Sequence, residues 1–82
     1  MHEHSLLRGL MAQIDELARQ NHGKRVRVVR LKLGPLAHIE PGHLREHFGE
    51  SAKGTVAEGA CLEIETTEDL HELTLESIDV DA

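Results

Sequence analysis

The sequence opens Met1, His2, Glu3, His4, and a histidine in second place can chelate a metal together with the terminal amine. The Met1 amine nitrogen, the His2 amide nitrogen and the His2 imidazole close two fused rings around one ion. Glu3 or His4 can offer a fourth donor. A nitrogen or mixed nitrogen and oxygen set in tetragonal geometry suits Ni(II) or Cu(II). A free α-amine has a pKa of about 7.7–8 in model peptides, so a metal can displace its proton near neutral pH. The chelate requires Met1 to stay in place and unblocked, and a bulky second residue such as His2 generally protects the initiator methionine from trimming. The competing reading is a frayed chain end with an incidental histidine.

Other donors are scattered. His43 and His47 stand four apart in a segment that reads as helical, a spacing that can bring two imidazoles to one metal. No Glu or Cys at an obvious third position completes that set, and such pairs also arise by chance. His38 and His71 read individually as surface residues and His22 stands near a helix C-terminus, although seven histidines in 82 residues make adventitious nickel binding a hazard in any titration. Cys61 is the single cysteine, which excludes an internal disulfide and any zinc site built on paired cysteines. The chain contains no serine–histidine–carboxylate set, no Gly-rich phosphate loop and no paired acid/base constellation, so it does not read as an enzyme.

The elements that must position these residues fit in one domain spanning residues 1–82. Phe48 is the only aromatic, so the core must be aliphatic. No apolar run approaches the ~20 residues of a membrane helix, and no signal peptide is evident, so a reduced cytoplasmic setting is expected. The net charge of −6 argues against nucleic-acid binding. That charge is segregated: Lys24, Arg25, Arg27, Arg30 and Lys32 form a basic block, while Glu63, Glu65, Glu68, Asp69, Glu72, Glu76, Asp79 and Asp81 make the last third acidic. Basic and acidic strands pairing across a sheet explain this segregation most simply.

Residues 5–21 read as an amphipathic helix on Leu7, Leu10, Ile14 and Leu17, with Ser5 as N-cap and Gly23 as the stop. Residues 25–33 read as a strand whose apolar frame changes near Val28 and Val29, a sign of a bulge or of burial on both faces. Glu40 and Pro41 open a second helix with a thin stripe of Leu44, Phe48 and Ala52. Residues 60–66 form a second strand with Ala60, Leu62 and Ile64 inward and Cys61, Glu63 and Glu65 outward. Residues 71–80 form a third, with a frame shift near Ser77. The expected fold is α+β, with both helices on one face of a small mixed three-stranded sheet in the order α-β-α-β-β. The first two strands should be parallel, and the last two an antiparallel hairpin if they are neighbours. An exposed edge of so short a sheet can pair with a second copy, making a homodimer possible.

The chain resembles the HypA family of nickel-incorporation accessory proteins for nickel–iron hydrogenase and, in some organisms, urease. The resemblance rests on Met1, His2, Glu3, Ser5 and Leu6, on Val29 to Gly34, and on Ile39, Glu40, Pro41, Leu44, Arg45 and Phe48. It continues through Lys53, Gly54, Thr55, Ala57 to Ala60 and Leu62 to Glu65, and ends on Leu73, Leu75 and Ser77 to Val80. It implies that Met1, His2 and Glu3 bind Ni(II), with His4 as a further ligand or an exposed residue ahead of the helix. It also implies a metallochaperone that exchanges nickel with a partner GTPase and delivers it to the hydrogenase large subunit. Family members usually carry a zinc module between the second and third strands, held by two Cys-x-x-Cys pairs. Here Glu65 is followed only by Thr66, Thr67, Glu68 and Asp69 before the last strand, so no zinc is expected and the chain reads as a natural short form or an engineered deletion. The alternative reading is a non-enzymatic protein-interaction or assembly module that keeps the fold, with metal binding secondary.

Overall fold

The alternation Val29, Leu31, Leu33 makes the first strand the spine of the domain. A computed structural model describes residues 3–68 and 72–81, with side chains from Ser5 onward. Its elements are α1 (Glu3–Gln20), β1 (Val26–Leu33), α2 (Pro41–Ser51), β2 (Cys61–Thr66) and β3 (Leu73–Val80), with a single 3-10 turn at Pro35–Ala37. The strand order is β2-β1-β3. β1 pairs in parallel with β2 from Val28↔Cys61 to Leu33↔Thr66, and antiparallel with β3 from Val26↔Val80 to Leu33↔Leu73. The expected α+β architecture and parallel pairing are therefore observed.

The hairpin is not. β2 and β3 are separated by β1, so the chain passes from one side of the central strand to the other between Thr66 and Leu73. The crossing is pinned where the Thr67 N–H donates to the Leu33 carbonyl at 3.0 Å and the Gly34 N–H donates to the Glu72 carbonyl at 3.0 Å. Charge accounts for the order. A hairpin would set the acidic β2 and β3 side by side, and like charges directly opposite destabilise a sheet. With the basic β1 between them, each acidic strand meets a basic one. Arg30 binds Asp79 through two 2.9 Å hydrogen bonds and Glu63 through one of 3.2 Å. Lys32 reaches Glu76 at 3.6 Å and Arg27 reaches Asp81 at 3.0 Å.

Both expected frame shifts are present. The β1–β3 register slips between Val26 and Val28, and again opposite Arg30 and Leu31, where Ser77 and Leu75 are the successive partners. The extra residues are Arg27 on one strand and Glu76 on the other, both exposed. Each bulge lets the aliphatic residues on either side of it face the same way.

α1 lays Leu7, Leu10, Ile14 and Ala18 into the core, and α2 adds Leu44 and Phe48. Both helices cover one face of the sheet, and the opposite face carries the ion pairs. Two details of α1 differ from expectation. Leu17, expected among the central residues of the stripe, is only half-buried, while Ala18, expected to widen it, is buried. Ser5 is not the N-cap, because the helix already runs from Glu3. No glycine or proline lies between Glu3 and Leu7, so helix anchored by the buried leucines propagates back past the serine.

The C-terminus of α1 closes as a Schellman motif. The Gly23 N–H donates to the Ala18 carbonyl at 2.7 Å and the His22 N–H to the Arg19 carbonyl at 3.1 Å. The stop begins one residue earlier than the glycine, since His22 also has a left-handed backbone, at φ 68°. At the start of α2 the Glu40 carboxylate accepts the His43 N–H at 3.0 Å, with Pro41 in the first turn. It folds close over Gly42, where a Cβ would lie 2.9 Å from Oε2.

Candidate metal centre

In sequence the N-terminal donors run straight into α1, a helix held to the sheet by its apolar face. Met1 and His2 lie outside the described residues. Glu3 and His4 form the first turn of α1, and their side chains are likewise outside the description. The geometry of the proposed ligand set therefore rests on where the helix begins. The chelating residues lead directly into α1, and Leu7 and Leu10, both nearly fully buried, fix that helix to the sheet. A shallow groove lies beside this end of the helix, lined by Ser5, Leu6, Gly9, Glu72 and Leu73. Glu72, just ahead of β3, thus brings a carboxylate to the side of the molecule where α1 starts. Its sequence position alone gave no sign of this, because the placement depends on the crossing over β1.

The remaining donors are dispersed. Among the described residues, no group of three or more His, Cys, Asp or Glu is placed to hold a metal. Cys61 is exposed on the outer face of β2, as its parity predicted. His38 is exposed, caps the 3-10 turn with a left-handed backbone at φ 53°, and lies in the loop after β1. His71 lies outside the described residues. His43 and His47 come together on the exposed side of α2 with their rings stacked, centroids 6.2 Å apart and planes within 4°.

The perturbed ionisable groups are structural. The Arg30 guanidinium holds the Asp79 carboxyl below its usual range, and the two carboxylates around Arg30 raise its own pKa further. Backbone N–H groups of Gly42 and His43 hold the Glu40 carboxyl below its usual range, as suits an N-cap. Arg45 on α2 donates to the Leu62 carbonyl, tying the helix to β2.

Residues 1–73 match the family described as hydrogenase/urease nickel incorporation, metallochaperone, hypA. The chain belongs to the HypA family. The hydrogenase maturation factor HypA of Methylocella silvestris is 45% identical over 65 residues, which cover 79% of this chain and 58% of that protein. HypA of Desulfitobacterium hafniense is 45% identical over 65 residues, covering 79% of this chain and 57% of its own length. The chain thus spans less than two thirds of these relatives. The solution structure of the Ni metallochaperone HypA from Helicobacter pylori superposes with a TM-score of 0.79 at 18% identity, over 98% of this chain and 97% of that one. At that identity the likeness shows the shared fold. No described helix is long and apolar enough to cross a membrane. The two Cys-x-x-Cys pairs that the resemblance associates with a zinc module are not in this sequence, whose single cysteine is Cys61.

Proposed function

We propose that this chain is a nickel metallochaperone of minimal form, one domain of residues 1–82 that carries Ni(II) on its first residues and releases it during hydrogenase maturation. The ligands are the Met1 amine, the His2 amide and imidazole, and Glu3, with His4 as a further donor. The observation that carries this reading is the family match over residues 1–73, which begins at the chelating residues themselves. The helical start at Glu3 supports it, because a chelate fused to a packed helix is presented to a partner in a defined direction. A small set of protein donors suits a carrier that must let go of its ion. The nickel is cargo; the chain performs no chemical step on it and is not an enzyme. It works without zinc, in the cytoplasm. Its partners are the hydrogenase large subunit or a nickel-handling GTPase, and neither nucleic acid nor membrane.

The test is a Ni(II) titration by calorimetry and visible absorption on protein with a native N-terminus. His2→Ala and a form extended by a short N-terminal Gly-Ser segment run beside it. A tight equivalent with a tetragonal absorption band is expected in the native protein, and both controls should lose it. Unchanged binding in both controls would overturn the proposal and leave the interaction-module reading in front.

A further inference from the structure

We propose that α2 carries a second, open metal site made by His43 and His47. Nothing in the N-terminal reading requires it, and the two proposals stand or fall separately. The two residues are one helical turn apart, both exposed, on a face that points away from the core residues Leu44 and Phe48. Imidazoles at i and i+4 can bind one ion from a single helix face. Metal–nitrogen bonds of about 2.0–2.1 Å put two neighbouring imidazoles on a shared ion with ring centres roughly 4.5–5 Å apart. The observed separation is 6.2 Å, so the rings must draw closer. A ring nitrogen's lone pair lies in the ring plane, so both rings must also turn out of their face-to-face stack for one nitrogen of each to reach a common point, and both residues are exposed. α2 is itself anchored by its buried stripe and by the Glu40 cap, so the two histidines are held on a rigid backbone.

The site has two protein donors, since no third His, Cys, Asp or Glu joins it among the described residues. Its remaining positions are filled by water or by donors from another molecule. Imidazole suits Ni, Cu and Zn, and the class of ligand is therefore a divalent first-row transition ion. Such a site holds its ion weakly and exchanges it readily.

Ni(II) alone is the probe, titrated into the Gly-Ser-extended protein so that the terminal chelate is blocked. One equivalent of weak binding is expected. His43→Ala and His47→Ala should each weaken it by about tenfold or more, because each converts a chelate into a single donor. A third variant, His47→Ala with Gly49→His, keeps seven histidines but moves one off the shared face; a side chain at Gly49 meets nothing within 4 Å. It should bind as weakly as His47→Ala. Substoichiometric Ni(II) should also broaden the amide resonances around His43 and His47 first in the unsubstituted extended protein, a readout independent of any variant's folding. Retention of binding in the relocated variant, absence of binding in the extended protein, or broadening centred elsewhere would each overturn the proposal.

Discussion

His22 is held at φ 68° with an exposed side chain, and replacing it with glycine should stabilise the protein. The left-handed region costs an L-residue about 1–2 kcal/mol because Cβ crowds the following carbonyl oxygen. Glycine escapes that cost but loses more backbone freedom on folding, an opposing contribution of about 0.5–1 kcal/mol. The remainder favours His22→Gly by roughly 0.5–1 kcal/mol. The Schellman hydrogen bonds, 2.7 Å from Gly23 and 3.1 Å from His22, are backbone to backbone and survive the change. For a domain of this size, 1 kcal/mol moves Tm by about 4–8 °C, so an increase of roughly 2–8 °C is expected by differential scanning calorimetry. His22→Ala keeps the Cβ and should give no such gain. Because the substitution removes a histidine far along the chain from the terminal chelate, the first equivalent of Ni(II) should bind as before. A Tm that falls in His22→Gly, or rises equally in His22→Ala, would refute the backbone argument.

Leu44 is fully buried and, with Phe48, holds α2 to the sheet, so Leu44→Ala should cost about 2–5 kcal/mol in urea unfolding. That is a large part of the roughly 4–12 kcal/mol available to a chain this long. Glu40 and Asp79 both ionise more readily when folded, so their stabilisation is fully present above the unfolded values near 4.3 and 3.9 and is lost as pH falls through the lower folded values. Unfolding curves collected from pH 6 to 2 should therefore show a loss confined to the acid side, small because both groups are exposed, and Glu40→Gln should flatten part of it. Cys61→Ser should change neither the nickel stoichiometry nor Tm measurably, since the thiol is exposed and no metal-ligating cluster among the described residues includes it.

The elements were legible because the apolar residues keep strict periods. Val29, Leu31 and Leu33 against Val26, and Leu73 and Leu75 against Ile78 and Val80, change parity, and each change marks a real bulge. Charge segregation foretold the ion pairs of β1 with its neighbours, yet the strand order was missed. A short connection between two strands suggests a hairpin, and connection length carries no information about a third strand lying between them. The acidic character of both flanking strands was the signal that should have separated them. Ser5 misled because a good capping residue does not stop a helix that tertiary packing extends. The left-handed histidines 22 and 38 were invisible, since neither is the residue type that such a backbone ordinarily requires. Nor did the sequence anticipate Ala57, fully buried in the turns between α2 and β2. The candidate site was legible as chemistry, from the order Met1, His2, Glu3, and not as geometry, because what positions it is the packing of α1 several residues downstream.

The β2-β1-β3 order explains how one domain can stand with only residues 67–72 between its last two strands. β2 and β3 do not hydrogen-bond to each other. Each is registered independently on β1, the former from Val28 to Leu33 and the latter from Val26 to Leu33. The core residues Leu31, Leu44 and Leu62 lie on β1, α2 and β2, and the described part of the connection adds backbone hydrogen bonds at Leu33 and Gly34. Closing a longer loop there costs only about 0.6 kcal/mol for each doubling of its length. The crossing also lies at the end of the sheet where α1 begins, since Glu72 and Leu73 share a groove with Ser5 and Leu6. A segment inserted between Thr66 and Leu73 would thus leave the core unchanged and emerge beside the first described turns of α1. Inserting a flexible Gly-Ser stretch of twelve residues at that point tests this directly. Stability should fall by about 1 kcal/mol or less. A loss comparable to that of Leu44→Ala would mean that the short crossing, and not β1, holds the two outer strands in place.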